Sequence, residues 1–300
     1  MLTRKEDDCM KPATFTYCSP STIEEAVKLL EEYGDTGKII AGGQSFIPIL
    51  NMRMSEPECL IDINQINELN GVRVEEGVLK IGALTKQREL EQSDAVKIHV
   101  PILSEATPYI GHVQTRNRGT VGGSVAHADP SAELPLCFLA LDAEIVIQSI
   151  DGTRKISIND FFITYLTTEV MPEEILTEIH VPLSEHNGYA FEEFSRRHGD
   201  FALAAVACIL SVDEIGKIDK VRLVLGGVDA IPLLAEEAME YLAGKSLTED
   251  TLEKAVELAV MDADPDGDLH ASKEYRVHMA KVLTRKALIK AFNRALGKGV

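Results

Sequence analysis

An extended run that stops on a glycine pair marks a place where backbone comes close to something, because only glycine leaves that approach open. The chain does this at Lys38-Ile39-Ile40-Ala41, which breaks on Gly42-Gly43-Gln44-Ser45. A second pair closes the polar stretch from Gly111 to Ser124, at Thr120-Val121-Gly122-Gly123-Ser124, and a third is Gly226-Gly227. At ordinary glycine usage, about one or two such pairs arise by chance in a chain of this length. Number alone therefore decides nothing. Context separates them: the first two pairs carry Gln44, Ser45, Thr120 and Ser124 beside them. Successive N–H donors flanked by hydroxyls make a concavity suited to a diphosphate, and the same residue types suit plain structural turns. Both readings stand at this point. Gly226-Gly227 precedes an apolar residue at a strand end and reads as a bend or bulge.

Charge narrows the choice of ligand. The 300 residues hold 30 Lys+Arg against 48 Asp+Glu, a formal net charge of −18. Such a field repels nucleic acid and anionic membrane surfaces, so any phosphate has to be held by local backbone dipoles and a few selected side chains. Five cysteines, Cys9, Cys18, Cys59, Cys137 and Cys208, are scattered without a C-x-x-C pair. Neither a disulfide framework nor a thiolate-held zinc or iron–sulfur site fits that spacing. The start, MLTRKEDDCMKP, has no apolar segment of the secretory kind, and the longest uncharged apolar run, Phe201 to Val212, falls well short of the ~20 residues of a membrane helix. A soluble cytoplasmic protein with reduced thiols is expected. The chain has no G-x-G-x-x-G after a strand, no P-loop and no G-x-S-x-G elbow. His127, Asp129 and Glu133 have a metal-like spacing but one imidazole only, and Asp129 before Pro130 reads as a helix N-cap.

Periodicity supplies the elements. Ser21 and Glu24 form a capping box ahead of the stripe Ile23, Ala26, Val27 and Leu30, with Gly34 as the stop. Leu60–Ile63 reads as a strand, 72–74 with 78–81 as a hairpin, 101–110 and 134–141 as helices, and 144–148 as a strand. From about Ile175 the texture changes to long strands, 175–181, 189–197, 202–212 and 220–226, followed by acidic helices at 234–243 and 249–261 and a last helix from Tyr275 to Leu296. Grouped strands and helices argue for an α+β architecture with a boundary near residue 178. Eight basic residues lie between Lys273 and Lys298 against one acid, whereas the segment from Glu236 to Asp268 is strongly acidic. This arrangement reads either as a basic helix lying beside acidic neighbours or as a docking face for another subunit.

Five strings in register, Ala41-Gly42-Gly43-Gln44-Ser45-Phe46-Ile47-Pro48, Leu60-Ile61-Asp62-Ile63, Thr120-Val121-Gly122-Gly123-Ser124, Ala128-Asp129-Pro130-Ser131-Ala132-Glu133 and Glu174-Ile175-Leu176-Thr177-Glu178-Ile179, resemble the FAD-binding medium subunit of the molybdenum hydroxylases. That group includes the flavoprotein subunits of carbon monoxide dehydrogenase, xanthine dehydrogenase and N-heterocycle dehydrogenases. The resemblance runs from about Lys11 to about Ala291. It implies a PCMH-type two-lobed FAD-binding domain over 11–178, with lobes of about 11–66 and 67–178, followed by a smaller α+β C-terminal domain over 179–293. It further implies that Ala41, Gly42, Gly43, Gln44, Ser45 and Phe46, with Thr120, Val121, Gly122, Gly123 and Ser124, hold the FAD pyrophosphate. Ile110, Glu133, Leu176 and Glu192 would be further flavin contacts, Glu192 standing where some relatives carry lysine, and Asp129 would shape the second loop. The implied activity is electron transfer: from [2Fe–2S] clusters of a small subunit, through FAD, to NAD, a quinone or oxygen, with substrate oxidised at a molybdopterin in a large subunit. A stand-alone PCMH-type flavin oxidase and a flavin-free assembly subunit are the alternatives.

Overall fold

The computed structural model describes residues 11–183 and 188–298, so the charged start and Cys9 lie outside the described residues. The first lobe is built from β1 (Thr16–Cys18), α1 (Ile23–Tyr33), β2 (Gly37–Ile40), α2 (Phe46–Asn51) and β3 (Cys59–Asp62), its parallel strands ordered β1-β3-β2. Helix α1 buries the expected stripe, Ile23, Ala26, Val27 and Leu30, at roughly 1.5–3 kcal/mol for each large aliphatic side chain. Its cap sits one residue later than the sequence indicated. Thr22 accepts the Glu25 N–H, and Glu25 rather than Glu24 reaches back to Ser21.

The second lobe contains β4 (Val72–Glu75), β5 (Val78–Gly82), α3 (Gln87–Gln92), α4 (Asp94–His99), α5 (Pro101–Ala106), α6 (Val113–Arg116), α7 (Val121–His127), α8 (Glu133–Ala140), β6 (Glu144–Ser149), β7 (Gly152–Ser157), the small hairpin β8 (Phe162–Thr164) and β9 (Thr167–Thr168), and β10 (Ile175–Pro182). Its five strands are antiparallel in the order β4-β5-β10-β6-β7. Strand β10 pairs with β5 as far as Pro182 opposite Val78. The sheet thus runs past residue 178, because the ladder continues as long as β5 offers partners.

The remaining chain forms β11 (Gly188–Phe194), β12 (Ala204–Val212), β13 (Ile218–Gly226), β14 (Leu233–Leu234), α9 (Glu236–Leu242), α10 (Glu249–Ala259) and α11 (Lys273–Ala295), with the strands antiparallel in sequence order. Strand β12 explains its own apolar run. Ala204, Val206, Cys208 and Leu210 enter the core under α9 to α11, while Ala205, Ala207 and Ile209 enter the core shared with the second lobe. A strand buried on both faces carries apolar residues at every position instead of alternating. The basic helix α11 lies beside acidic neighbours: Lys273, Arg276, Lys281 and Arg285 pair with Asp264, Asp268, Glu257 and Glu249, and Lys290 and Arg294 both pair with Glu105.

Candidate functional site

A cleft of about 510 Å³ opens between the two lobes and is closed at one side by the C-terminal domain. The first lobe supplies the turn after β2, the second supplies the segment around α7 together with Ile110, Glu133 and Leu176, and the third supplies Gly199, Asp200 and Phe201. Of the residues expected at the site, Ala41, Gly42, Gly43, Gln44, Ser45, Phe46, Ile110, Thr120, Gly122, Gly123, Ser124, Asp129, Glu133 and Leu176 all line this one cleft. Two do not. Val121 is fully buried in the core with its N–H on the Thr85 carbonyl, and Glu192 pairs with Lys290 at 3.0 Å on the opposite face of β11 from the shared core. The reason for the second is strand alternation: Phe191 turns to the shared core and its neighbour turns away.

The two glycine turns are built differently. In the first, Gly43 has φ +69°, and a Cβ on Gly42 would stand 2.4 Å from the Arg118 carbonyl oxygen. Glycine is required at the one for conformation and at the other for closeness. The turn is braced from behind: Asn64 Nδ2 donates to the Ala41 carbonyl at 2.8 Å, Asp62 accepts from Asn64 at 2.7 Å, and Tyr17 donates to Asp62 at 2.6 Å. Burial tends to raise the Asp62 carboxyl, but the hydrogen bonds from Tyr17 and Asn64 outweigh it and hold the group below the ordinary carboxylate range. Among the described residues, the N–H groups of Gly43, Gln44 and Ser45 find no acceptor in the chain. They are free for an anion.

The second turn has none of that freedom. Val121 and Gly122 donate to the carbonyls of Thr85 and Ala83 at 2.9 Å each, and Gly123 and Ser124 donate to the Thr120 hydroxyl and carbonyl at 3.1 Å. The segment is the capped first turn of α7, Thr120 serving as its N-cap. A Cβ on Gly122 would lie 2.6 Å from Ala83 Cβ, so this glycine serves close packing against the end of β5. Along the cleft, Thr120 and Gly122 are buried, Gly123 is exposed and Ser124 half-buried. Asp129 does not cap α8, whose N-cap is Ala132. Its carboxylate accepts the Ser131 N–H at 2.8 Å within a local turn that sets the approach to Glu133.

Several cleft features were not legible beforehand. Arg116, 7% exposed, donates to Glu91 and to the carbonyls of Pro108, Ile110 and Gly111, which fixes the Ile110 rim. Gln87 lines the cleft with a buried Oε1 that lacks a partner among the described residues, and it crowds Gly119, where a Cβ would come within 2.4 Å of that oxygen. Phe201 stands 69% exposed at the mouth. On the far side of the first turn a smaller hollow of about 390 Å³ is lined by Asp62, Asn64 and Arg118. Inside the cleft, Glu133 is 8% exposed, and burial pushes its carboxyl up to about 7.

Comparison with known proteins agrees with this layout. Residues 13–184 match the FAD binding domain in molybdopterin dehydrogenase, and residues 189–291 match the CO dehydrogenase flavoprotein C-terminal domain. The 6-hydroxypseudooxynicotine dehydrogenase complex subunit alpha of Paenarthrobacter nicotinovorans is 42% identical over 95% of this chain and 97% of its own length. The carbon monoxide dehydrogenase medium chain of Hydrogenophaga pseudoflava is 34% identical over 95% of this chain and 99% of its own. Among solved structures, carbon monoxide dehydrogenase from that organism superposes with a TM-score of 0.92 at 36% identity, covering 94% of this chain and 99% of that one. Quinoline 2-oxidoreductase from Pseudomonas putida 86 gives a TM-score of 0.91 at 34% identity, over 95% and 99% of the two chains. The two lobes and their cleft, followed by the smaller α+β domain, are thus those of the FAD-binding subunits of the molybdenum hydroxylases, oxidoreductases of the molybdopterin-dependent dehydrogenase type, and this chain belongs to that family.

Proposed function

We propose that the chain is the flavoprotein subunit of a molybdenum hydroxylase complex. In this reading [2Fe–2S] clusters of a small partner subunit deliver electrons to FAD held here, an external acceptor (NAD, a quinone or oxygen) removes them, and the substrate is oxidised at a molybdopterin in a large partner subunit. FAD supplies the ability to accept electrons singly and release them singly or as a pair. The observation that carries the reading is the convergence of both glycine turns on one cleft, with donor N–H groups left open in the first of them.

This chain's own residues bind, orient and shield. Gly43, Gln44 and Ser45 offer N–H donors to the diphosphate, which lets an acidic protein hold an anion by local dipoles. The Thr120–Ser124 turn forms the rigid opposite wall, and Ile110, Leu176 and Phe201 give apolar surface for the flavin ring. Val121 supports the wall from the core. The two matched units serve as the FAD domain, through the end of β10, and a C-terminal domain that completes the cleft. No described helix is long and apolar enough to cross a membrane, and a cytoplasmic location is part of the proposal.

The test is purification of the native complex with metal and flavin analysis. One FAD per chain should co-purify with a molybdenum-containing large chain and an iron–sulfur small chain, and bulky replacements at both Gly43 and Gly122 should abolish flavin retention. Full flavin content in that double variant would sink the assignment of the turns. Rapid reduction of the isolated chain by a small organic substrate would sink the electron-transfer role.

A further inference from the structure

One buried polar group on the cleft wall has nothing to bond to. Gln87 stands at the start of α3, 5% exposed, and lines the cleft. Its Oε1 is buried and finds no donor among the described residues. The residue is fastened to the second glycine turn: its own N–H donates to the Gly119 carbonyl at 2.9 Å, and Lys86 before it bridges to Thr120. Gly119 leaves a slot that the carboxamide fills, since a Cβ there would stand 2.4 Å from Gln87 Oε1. The same point is 3.1 Å from the Thr115 carbonyl oxygen, which already accepts the N–H groups of Arg118 and Gly119. Two acceptors thus share one slot, and only one of them has donors. A buried acceptor left in this way costs the fold stability, and it calls for a partner from outside the chain.

We propose that Gln87 is a FAD-binding residue, its carboxamide oxygen accepting a hydrogen bond from a sugar hydroxyl next to the cofactor's diphosphate. The inference rests on FAD occupying the cleft. The diphosphate itself presents acceptor oxygens, which suit the free N–H groups of the first turn and cannot satisfy Gln87. On either side of the diphosphate FAD carries hydroxyls, those of the ribityl chain and those of the ribose, and these are donors. Gln87 is joined through its backbone to the turn that forms the wall opposite the cradle, so it belongs to the part of the cleft where those hydroxyls lie. The last torsion of a glutamine is broad and roughly two-fold. A half-turn about it swings Oε1 from the slot to the cleft and gives the slot a donor, Nε2, for the Thr115 carbonyl, with the backbone unmoved. The cleft then has donors for the anion and an acceptor for the sugar.

The full chain, stripped of flavin, is compared with Gln87→Met, which keeps the length of the side chain and deletes the amide. Thermal unfolding of the apo variant should move up by about 2 °C, because the unsatisfied acceptor is gone. Its Kd for FAD, read by flavin fluorescence, should rise about tenfold. Opposite signs are the signature of a group held for a ligand; a structural residue loses stability when it is replaced. Equal FAD affinity in the two chains, or a melting temperature that falls along with affinity, overturns the proposal. Titrations with FMN and with ADP locate the hydroxyl: a loss carried by FMN assigns the ribityl chain, one carried by ADP assigns the ribose, and a loss in neither overturns the hydroxyl contact. A wild-type chain that binds no FAD overturns the cleft reading itself, which is distinct from equal binding by both chains. Should Gln87→Met not fold, Gln87→Ala is read by affinity alone, with the same loss expected. Failure of both variants to fold makes Gln87 a structural residue and rejects the assignment.

Discussion

The two glycine turns read almost alike in sequence and behave differently in the fold. At Gly42-Gly43 the chain keeps the N–H groups of Gly43, Gln44 and Ser45 unused and braces the turn from behind through Asn64, Asp62 and Tyr17. At Gly122-Gly123 every N–H is taken, two by carbonyls at the end of β5 and two by the Thr120 cap. The first turn is an open cradle and the second a rigid wall. Glycine is needed in the cradle for backbone conformation and approach, and in the wall for packing, so one residue type fulfils two physical demands.

Substitutions can pull this contrast apart. The largest effect is expected at Gly122→Val, because the new carbons enter space held by Ala83 Cβ and its backbone oxygen at 2.6 and 2.9 Å. Overpacking of that kind costs about 1–3 kcal/mol or more, so thermal unfolding of the apo chain should drop by several degrees and flavin should be lost with it. Gly43→Ala should act on binding as well as stability. Its φ of +69° costs an L-residue about 1–2 kcal/mol, and a turn that shifts to relieve it aims its N–H groups less well at an anion, which should weaken FAD by about tenfold. If flavin affinity survives Gly43→Ala unchanged, the cradle is not where the diphosphate sits. Thr120→Ala removes the cap on Gly123 and should cost about 1 kcal/mol of stability, with Thr120→Ser restoring most of it. The smallest effect is expected at exposed Asn64: Asn64→Ala should leave apo stability within about 0.5 kcal/mol yet raise the Kd for FAD a few-fold, read by fluorescence titration, because the Ala41 carbonyl loses its anchor.

The parts of the site legible in sequence are those set by neighbours in the chain. The stop of β2 on glycine, the stripe of α1 and the doubly apolar run of β12 all follow from local pattern. Three details depart from the local pattern. Helix α1 is capped by Thr22 and not Ser21, with Glu25 reaching back to the Ser21 N–H, and the Asp129 carboxylate takes the Ser131 N–H instead of capping α8; both are choices among near neighbours in the chain. Only the third is set from afar: the Thr85 and Ala83 carbonyls draw Val121 and Gly122 into the start of α7. Glu192, on the face of β11 away from the shared core, meets Lys290, 98 positions along the chain.

From its sequence alone this protein is determined to be an acidic α+β chain whose two glycine turns, in register with three further strings, carry the family resemblance. These features depend on residue type and spacing, which the linear chain holds in full. Only the tertiary structure decided which N–H groups remain free, and which carboxyl lines the cleft and which is tied up elsewhere. Those outcomes depend on partners supplied by distant segments, since a buried polar group takes whichever donor, acceptor or proton the fold brings within reach.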